Sequence, residues 1–220
     1  PLFNDTVQGE IIRTWGKTTL TETLSHIPFQ YGPMSFFQTN PRTAELAQAH
    51  VTQLIHAHNP RAHVLDLYCG VGLFSLPLAM QGHLVKGIEL SADAISFARK
   101  NMYALGIDED TCTFEMEDVP KKLQELEKNK ETFDTIILDP PRSGLSKKIW
   151  RRILRLQPKQ LVYVACSLSA LTRDLEWLED YAEFKITQAN AFDFFPHTEH
   201  VETIVNIHIE KIKEFPKGGF

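Results

Sequence analysis

Short apolar runs alternate with helix-like segments from Pro41 onward, and this alternation constrains the fold more than any other feature of the sequence. Seven strands are predicted, at 63–68, 84–89, 111–115, 133–139, 161–166, 183–190 and 202–209. Helices are predicted between most of them, including one over 92–105 that Ser91 caps and Gly106 ends. Strands that alternate with helices form a mostly parallel sheet with helices on both faces, so the sequence predicts an α/β fold.

The first 40 residues follow a different pattern. Residues 1–33 are typical of short extended pieces broken by glycines and prolines. This segment is too short to fold alone. We therefore expect a small β appendage over 1–40, the remnant of a larger domain, beside a main domain over 41–212.

Composition narrows the class of protein. The 220 residues are 43% hydrophobic, which is enough for one sizeable core. The chain lacks an apolar run of about 20 residues and a signal-peptide pattern, which predicts a cytoplasmic protein that does not enter a membrane. Its three cysteines, Cys69, Cys112 and Cys166, have neither zinc nor iron–sulfur spacing, and we expect them to be reduced.

The charge pattern is ambiguous about nucleic acid. A net charge of −5 argues weakly against it, but residues 142–159 hold seven basic and no acidic side chains. Taken alone, this stretch slightly favours a solvated helix face.

Polar residues lie at or near the carboxyl ends of four of the predicted strands. They are Asp66 with Tyr68, then Glu89, Asp139 and Cys166. Parallel sheets bind ligands at the carboxyl ends of their strands, so these side chains are candidates for one site.

The turn after the first of these strands reads DLYCGVG and indicates the kind of ligand. Two glycines let the backbone pass close to a ligand, but Ser75 replaces the third glycine of a dinucleotide fingerprint, and no phosphate-binding loop is present. A nucleoside without phosphates therefore fits better. Glu89, about 20 residues further on, could accept hydrogen bonds from ribose hydroxyls or simply be an acidic residue at a helix start; with the DLYCGVG turn at this spacing, ribose binding is favoured.

These motifs together resemble a known family. The DxxCGxG turn, Glu89 and the DPPR sequence at 139–142 are similar to class I S-adenosylmethionine-dependent methyltransferases, which have a Rossmann-like fold. SFFQTN at 35–40, Cys166 with TRDL at 172–175, and FPHTEHVE at 195–202 narrow the resemblance to the RNA 5-methyluridine (uracil-5-) methyltransferase family. The resemblance runs from about residue 30 to residue 209 and implies action on tRNA or ribosomal RNA, without DNA or a metal.

The resemblance also implies roles for individual residues. Gln38, Tyr68, Glu89 and Asp139 correspond to contacts with S-adenosylmethionine. Cys166 corresponds to the nucleophile, and Glu202 to the base that removes a proton from carbon 5 of uracil. Phe36 is placed where an aromatic ring could stack on the target base. We add Arg142 as a substrate-side candidate, because its charge could favour the Cys166 thiolate; a loop-shaping salt bridge explains it equally well.

The chain departs from the family at two points. The family usually has Ser-Cys-Asn-Pro at the nucleophile, whereas residues 165–168 read Ala-Cys-Ser-Leu. An N-terminal RNA-binding TRAM domain and iron–sulfur cysteines, which some members carry, are not found in this sequence. The chain is thus expected to be a fragment or a compact member.

The chemistry makes further demands on the site. Cys166 should be partly exposed in an electropositive environment, because the thiolate is the nucleophile. Partial burial should raise the pKa of Glu202 to a range useful for a base. The basic helix at 147–155 would lie near the mouth of the site and hold RNA phosphates.

Three alternatives stay open at this point. An RNA cytosine-5-methyltransferase uses the same thiol addition but commonly has a second cysteine in the loop that here reads DPPRSG. An amino-group methyltransferase usually has an aromatic residue where Arg142 stands. A non-catalytic RNA-binding protein with this fold is supported by the altered flank of Cys166 alone.

Overall fold

A computed structural model describes residues 13–198 and 200–214. Nine strands are found in this part of the chain: β1 Leu20–Leu24, β2 Ile27–Tyr31, β3 His63–Leu67, β4 Leu84–Glu89, β5 Cys112–Met116, β6 Thr135–Leu138, β7 Gln160–Ala165, β8 Ala182–Phe192 and β9 Glu202–Ile212. The helices are α1 Pro41–His58, α2 Ser75–Met80, α3 Ala92–Ala104, α4 Val119–Asn129, α5 Lys147–Arg155 and α6 Leu168–Tyr181. The predicted elements are all present, with bounds that differ by a few residues.

Seven strands form one sheet in the order β5-β4-β3-β6-β7-β9-β8. The first five are parallel to their neighbours, and β9 runs antiparallel to both β7 and β8. The mostly parallel seven-stranded sheet is thus confirmed. Strand order reverses between β3 and β6, and such a switch point opens a crevice at the carboxyl edge of the sheet.

Each face of the sheet is covered by its own hydrophobic cluster. Neighbouring residues of β3 point to opposite faces, so Val64 joins one cluster and Leu65 the other. The first cluster includes residues of α1, α2 and α3, and the second includes residues of α4, α5 and α6. The predicted placement of helices on both faces is confirmed.

Side-chain caps fix where several helices begin. Asn40, Ser91, Ser146 and Ser167 each accept a hydrogen bond from the backbone N–H three residues later. Such caps satisfy N–H groups that a helix cannot pair internally and contribute about 1 kcal/mol each. The predicted cap of α3 at Ser91 is confirmed, and Gly106 follows the helix with a φ of 70°.

Strands β1 and β2 form an antiparallel hairpin apart from the main sheet. Leu24, Ile27 and Phe29 are buried and belong to the same cluster as residues of α1 and α3. The small N-terminal β appendage is therefore present in the described part, whereas residues 1–12 lie outside it. The domain boundary near residue 40 stays a prediction. No helix among the described residues combines the length and apolar character needed to cross a bilayer.

Candidate active site

The turn after β3 is shaped by backbone conformation. Gly70 and Gly72 have φ values of 54° and 91°, and a Cβ on Gly72 would come within 3.0 Å of Leu76 and Phe114. Tyr68 has a φ of 67°, a left-handed conformation that costs a residue with a side chain about 1 kcal/mol or more. Its N–H donates to the carbonyl of Ile88 at 2.9 Å. Strained backbone tends to be kept at functional sites, where the surrounding structure imposes it.

Glu89 is held in place by two backbone donors. Its Oε2 accepts from the N–H of Gly70 at 3.3 Å, and its Oε1 accepts from the N–H of Ser91 at 2.8 Å. Glu89 is thus an acid at a helix start, and this position is compatible with the favoured ligand-binding role. Each carboxylate oxygen has a second lone pair, so the fixed carboxylate can still accept from a pair of hydroxyl groups.

Asp118 is a residue that the sequence reasoning missed. It stands at the start of α4, after β5, and makes no side-chain cap hydrogen bond. Burial raises the pKa of Tyr68, and the charges of Asp118 and Glu89 raise it further, so both carboxylates lie near this phenol. The sequence did contain a signal for Asp118. It comes shortly after the parallel strand β5, just as Asp66 lies on β3 and Glu89 ends β4.

Asp66 is fully buried beneath the glycine turn. Ser75 Oγ donates to its Oδ2 at 2.5 Å, whereas its Oδ1 has no partner among the described residues. Burial raises the pKa of this carboxyl to about 7, against the opposing effect of the Ser75 hydrogen bond.

Gln38 and Glu202 are brought together although 164 positions separate them. The Gln38 side chain hydrogen-bonds to Glu202, and both residues are more than 90% buried. Burial raises the pKa of Glu202 to about 7, and the bond from Gln38 opposes this shift. The Gln38 Oε1 atom is buried and lacks a donor in the described ranges. The predicted partial burial and raised pKa of Glu202 are confirmed.

The sheet places Cys166 beside Glu202. Cys166 directly follows β7, Glu202 begins β9, and the two strands pair antiparallel with Ala165 opposite Thr203. Asp139 follows β6, the other neighbour of β7. Burial holds the pKa of Asp139 well above its usual range, and Glu202, Asp66 and Glu89 raise it further. A cysteine thiol and several acidic groups therefore meet at one edge of the sheet.

The environment of Cys166 differs from expectation in one respect. The residue is partly exposed, as predicted. Burial raises the pKa of its thiol, and Asp139 and Glu202 raise it further, whereas Arg142 lowers it. The prediction of an electropositive environment is therefore wrong for the protein alone, because two carboxyl groups outweigh one guanidinium. Cys69 and Cys112 are buried and belong to the hydrophobic cluster that includes residues of α1, α2 and α3.

The residue after Cys166, Ser167, caps the N-terminus of helix α6. Ser167 Oγ accepts from the N–H of Ala170 at 3.4 Å and lies 3.1 Å from Ser169 Oγ. Asn and Ser are about equally good at this cap position. The serine that stands where the family has asparagine therefore preserves the local geometry of α6.

The substrate-side candidates are exposed. Phe36 is 55% exposed, two residues before Gln38. Arg142 is exposed and lines a shallow cleft together with Pro140, Tyr163 and Cys166.

The basic side chains of helix α5 are less available to RNA phosphates than predicted. Lys147 pairs with Asp180 of α6 at 3.1 Å, Arg155 pairs with Glu127 of α4, and Arg152 hydrogen-bonds to Pro120 and Gln124. These contacts engage three of its cations within the protein, which weakens its proposed role in holding phosphates.

In the described part of the chain, no three His, Cys, Asp or Glu residues are grouped as metal ligands would be.

Comparisons with known sequences identify similar proteins. The family model described as tRNA (Uracil-5-)-methyltransferase matches residues 17–210. A tRNA (uracil(54)-C(5))-methyltransferase of Pyrococcus abyssi is 35% identical over 204 residues, covering 93% of this chain and 46% of that protein. The protein of the same name from Pyrococcus horikoshii is 37% identical over 206 residues, with equal coverage. The chain thus spans about half the length of the curated relatives it matches.

Solved structures of other proteins share the fold of this chain. The crystal structure of the Pyrococcus abyssi tRNA (uracil-54, C5)-methyltransferase in complex with S-adenosyl-L-homocysteine matches with a TM-score of 0.77 and 34% identity. The match covers 94% of this chain and 48% of that one. A SAM-dependent methyltransferase from Agrobacterium tumefaciens matches with a TM-score of 0.68 over 95% of this chain and 75% of that one. At 16% identity, this second likeness concerns the fold alone.

Proposed function

Because the chain belongs to the tRNA (uracil-5-)-methyltransferase family, we propose that it transfers a methyl group from S-adenosylmethionine to carbon 5 of a uridine in RNA. Its fold is the Rossmann-like fold of class I methyltransferases, as the sequence predicted. The proposal depends on one observation. Cys166, Glu202 and Asp139 lie close together at one edge of the sheet, where the Glu89 carboxylate is held by backbone hydrogen bonds.

The residues at the carboxyl edge fit the cofactor. When bound, S-adenosylmethionine supplies an electrophilic methyl group on a positively charged sulfur. Burial and the neighbouring Glu202 raise the pKa of Asp139, and a cation bound there would offset this acidic surplus. Glu89 can accept from the ribose hydroxyls, Tyr68 can pack beside the nucleoside, and the unpartnered Gln38 Oε1 can accept from a donor on the ligand.

Cys166 begins the chemistry on the target base. Its thiolate adds to carbon 6 of uracil and forms a C–S bond, which turns the ring into an enolate with a nucleophilic carbon 5. Carbon 5 would then take the methyl group, with S-adenosyl-L-homocysteine as the leaving group. The thiol first loses its proton to solvent water, and a cation bound beside Asp139 would offset the effect of Asp139 and Glu202, which raise the pKa of Cys166 in the protein alone.

Glu202 completes the reaction. After methyl transfer, carbon 5 carries both a methyl group and a proton. The Glu202 carboxylate accepts that proton, the electron pair re-forms the ring double bond between carbons 5 and 6, and the Cys166 thiolate leaves. With a pKa of about 7, Glu202 is ionised in part of the molecules at neutral pH and can release the proton again.

RNA is the proposed partner, with tRNA or ribosomal RNA as its class. The target base must leave its stack to reach Cys166, and the exposed ring of Phe36 can stack on it, which contributes about 1–3 kcal/mol. Both Pyrococcus relatives carry a tRNA name, so unmodified tRNA is the first substrate to test. Cytoplasmic location stays a prediction.

The proposal is tested by product analysis. Unmodified bulk RNA is incubated with methyl-labelled S-adenosylmethionine and then digested to nucleosides. We expect labelled 5-methyluridine with the wild-type protein and none with Cys166→Ala. Labelled 5-methylcytidine would favour a cytosine-5-methyltransferase, and full activity of Cys166→Ala would favour an amino-group methyltransferase. No binding of S-adenosylmethionine by calorimetry would favour a non-catalytic RNA-binding protein.

A further inference from the structure

The loop between β6 and α5 carries Arg142 past Cys166, and its Leu145 is buried in the same hydrophobic cluster as Tyr163 of β7. Its backbone is held by two consecutive residues of α6. Arg173 donates to the Ser143 carbonyl at 2.6 Å, and the Leu145 N–H donates to Asp174 Oδ2 at 2.7 Å.

Asp174 lies at the centre of this contact. It is fully buried, and the same Oδ2 accepts from the Tyr163 hydroxyl at 2.7 Å. Its Oδ1 accepts from Arg173 at 3.1 Å and 2.7 Å. A buried carboxylate with four hydrogen bonds from charged and neutral donors is strongly fixed, because losing any partner would leave polar atoms unsatisfied in the interior.

The loop and the carboxylate fit so closely that a side chain is excluded between them. Gly144 has a φ of 68°, and a Cβ there would lie 2.5 Å from the Arg173 guanidinium and 2.6 Å from Asp174 Oδ2. Arg173 is also held from its other side, with its guanidinium carbon 4.7 Å from the centre of the Trp177 ring. Gly144 and Cys166 line the same cleft as Arg142.

We propose that Asp174, acting with Arg173, is a positioning residue that fixes the 140–145 loop so that Arg142 faces Cys166. The inference rests on the proposed function for its catalytic consequence, but the placement of Arg142 can be tested without RNA or cofactor. Three groups act on the thiol from the elements around it: Asp139 after β6, Glu202 on β9 and Arg142 on the loop. The thiol in turn raises the pKa of the Tyr163 phenol on β7, so this group also lies near it. Among these, Arg142 is the group that favours the thiolate.

The test uses Asp174→Asn, which keeps the shape of the side chain but removes its charge and one acceptor. Gly144→Ala disturbs the same contact from the loop side. It is the second test variant, used if Asp174→Asn does not fold. Asp180→Asn is the matched control, because this exposed acid on α6 pairs with Lys147 of α5 and has no hydrogen bond to residues 140–145 among the described contacts. Cooperative thermal unfolding shows which variants are folded.

The readout is the rate of iodoacetamide alkylation of Cys166 as a function of pH, with Cys166→Ala as the background. We expect Asp174→Asn and Gly144→Ala to move the alkylation midpoint to higher pH, as Arg142→Ala does, and Asp180→Asn to leave it unchanged. In the Arg142→Ala background, Asp174→Asn should add nothing, because both changes remove the same interaction. With RNA, single-turnover methyl transfer should fall on the order of 10- to 100-fold while the KM for S-adenosylmethionine changes little.

An unchanged midpoint in folded Asp174→Asn and Gly144→Ala would overturn the inference. So would an Arg142→Ala profile identical to that of the wild type, or a further shift when Asp174→Asn is added to it. A wild-type protein that does not methylate uridine would count against the proposed function, while the alkylation profiles would still decide the role of Asp174.

Discussion

Replacing Glu202 with glutamine should separate methyl transfer from release of the product. Glutamine keeps the size of the side chain and can keep a hydrogen bond to Gln38, but it cannot accept the carbon 5 proton. In the wild type, a pKa of about 7 leaves about half of the Glu202 side chains ionised at pH 7 and only about a tenth at pH 6. The release step should therefore slow about tenfold for each unit of pH below about 6. Loss of a general base typically costs about 10²–10⁴-fold in rate.

The assay follows both steps in one reaction. RNA labelled with tritium at carbon 5 of uridine is mixed with excess enzyme and methyl-labelled S-adenosylmethionine. For Glu202→Gln we expect methyl incorporation to continue, tritium release to fall by about 10² or more, and a covalent protein–RNA complex to accumulate on a denaturing gel. Tritium release by Glu202→Gln at the wild-type rate, with the wild-type dependence on pH, would refute the assignment of Glu202 as the base.

Three further predictions follow from individual contacts. Ser167→Ala should destabilise the protein by about 1 kcal/mol in urea titrations through loss of the α6 cap, whereas Ser167→Asn should cost little; equal losses would contradict the capping role. Glu89→Ala should weaken calorimetric binding of S-adenosylmethionine by about tenfold or more without abolishing folding, and unchanged affinity would exclude a role in cofactor binding. Burial, and then His56, lower the pKa of His83 below its usual 6.5, so the stability that depends on neutral His83 is complete above pH 6.5 and is lost as the pH falls below it. His83→Gln should therefore lose less stability than the wild type between about pH 7 and about pH 5, and identical slopes would contradict this.

Much of the fold was predictable because local signals agree with the tertiary structure. The α3 helix begins and ends where Ser91 and Gly106 predict, and β4 has the predicted bounds. Parallel strands bring their carboxyl ends to one edge, so the meeting of Asp139 with Cys166 also followed from the strand pattern.

The electrostatics of the site could not be predicted in the same way. Whether the surroundings of Cys166 are positive depends on Asp139 and Glu202, which lie at distant positions in the sequence and act only once the sheet has formed. The basic helix α5 shows the same effect, because its partners Glu127 and Asp180 come from two other helices. Charge counted along one segment says little about charge in space.

The hold of Asp174 on the 140–145 loop depends on packing and was likewise not predicted. TRDL at 172–175 was recognised as part of a motif, but its contacts with Leu145 and Tyr163 follow from the placement of α6 beside β7. Asp118 was missed for a different reason. It follows a predicted strand as Glu89 does, but no motif drew attention to it.

The covalent attack of Cys166 on the target base is tested most directly with 5-fluorouridine RNA, since fluorine cannot be removed as a proton and the adduct cannot resolve. The protein is incubated with this RNA and S-adenosylmethionine, digested with protease and nuclease, and mapped by mass spectrometry. We expect a methylated fluorouridine nucleotide attached to the peptide that contains Cys166, and no adduct with Cys166→Ala. Formation of 5-methyluridine in natural RNA by a protein that gives no such adduct, or an adduct at Cys69 or Cys112, would contradict the account.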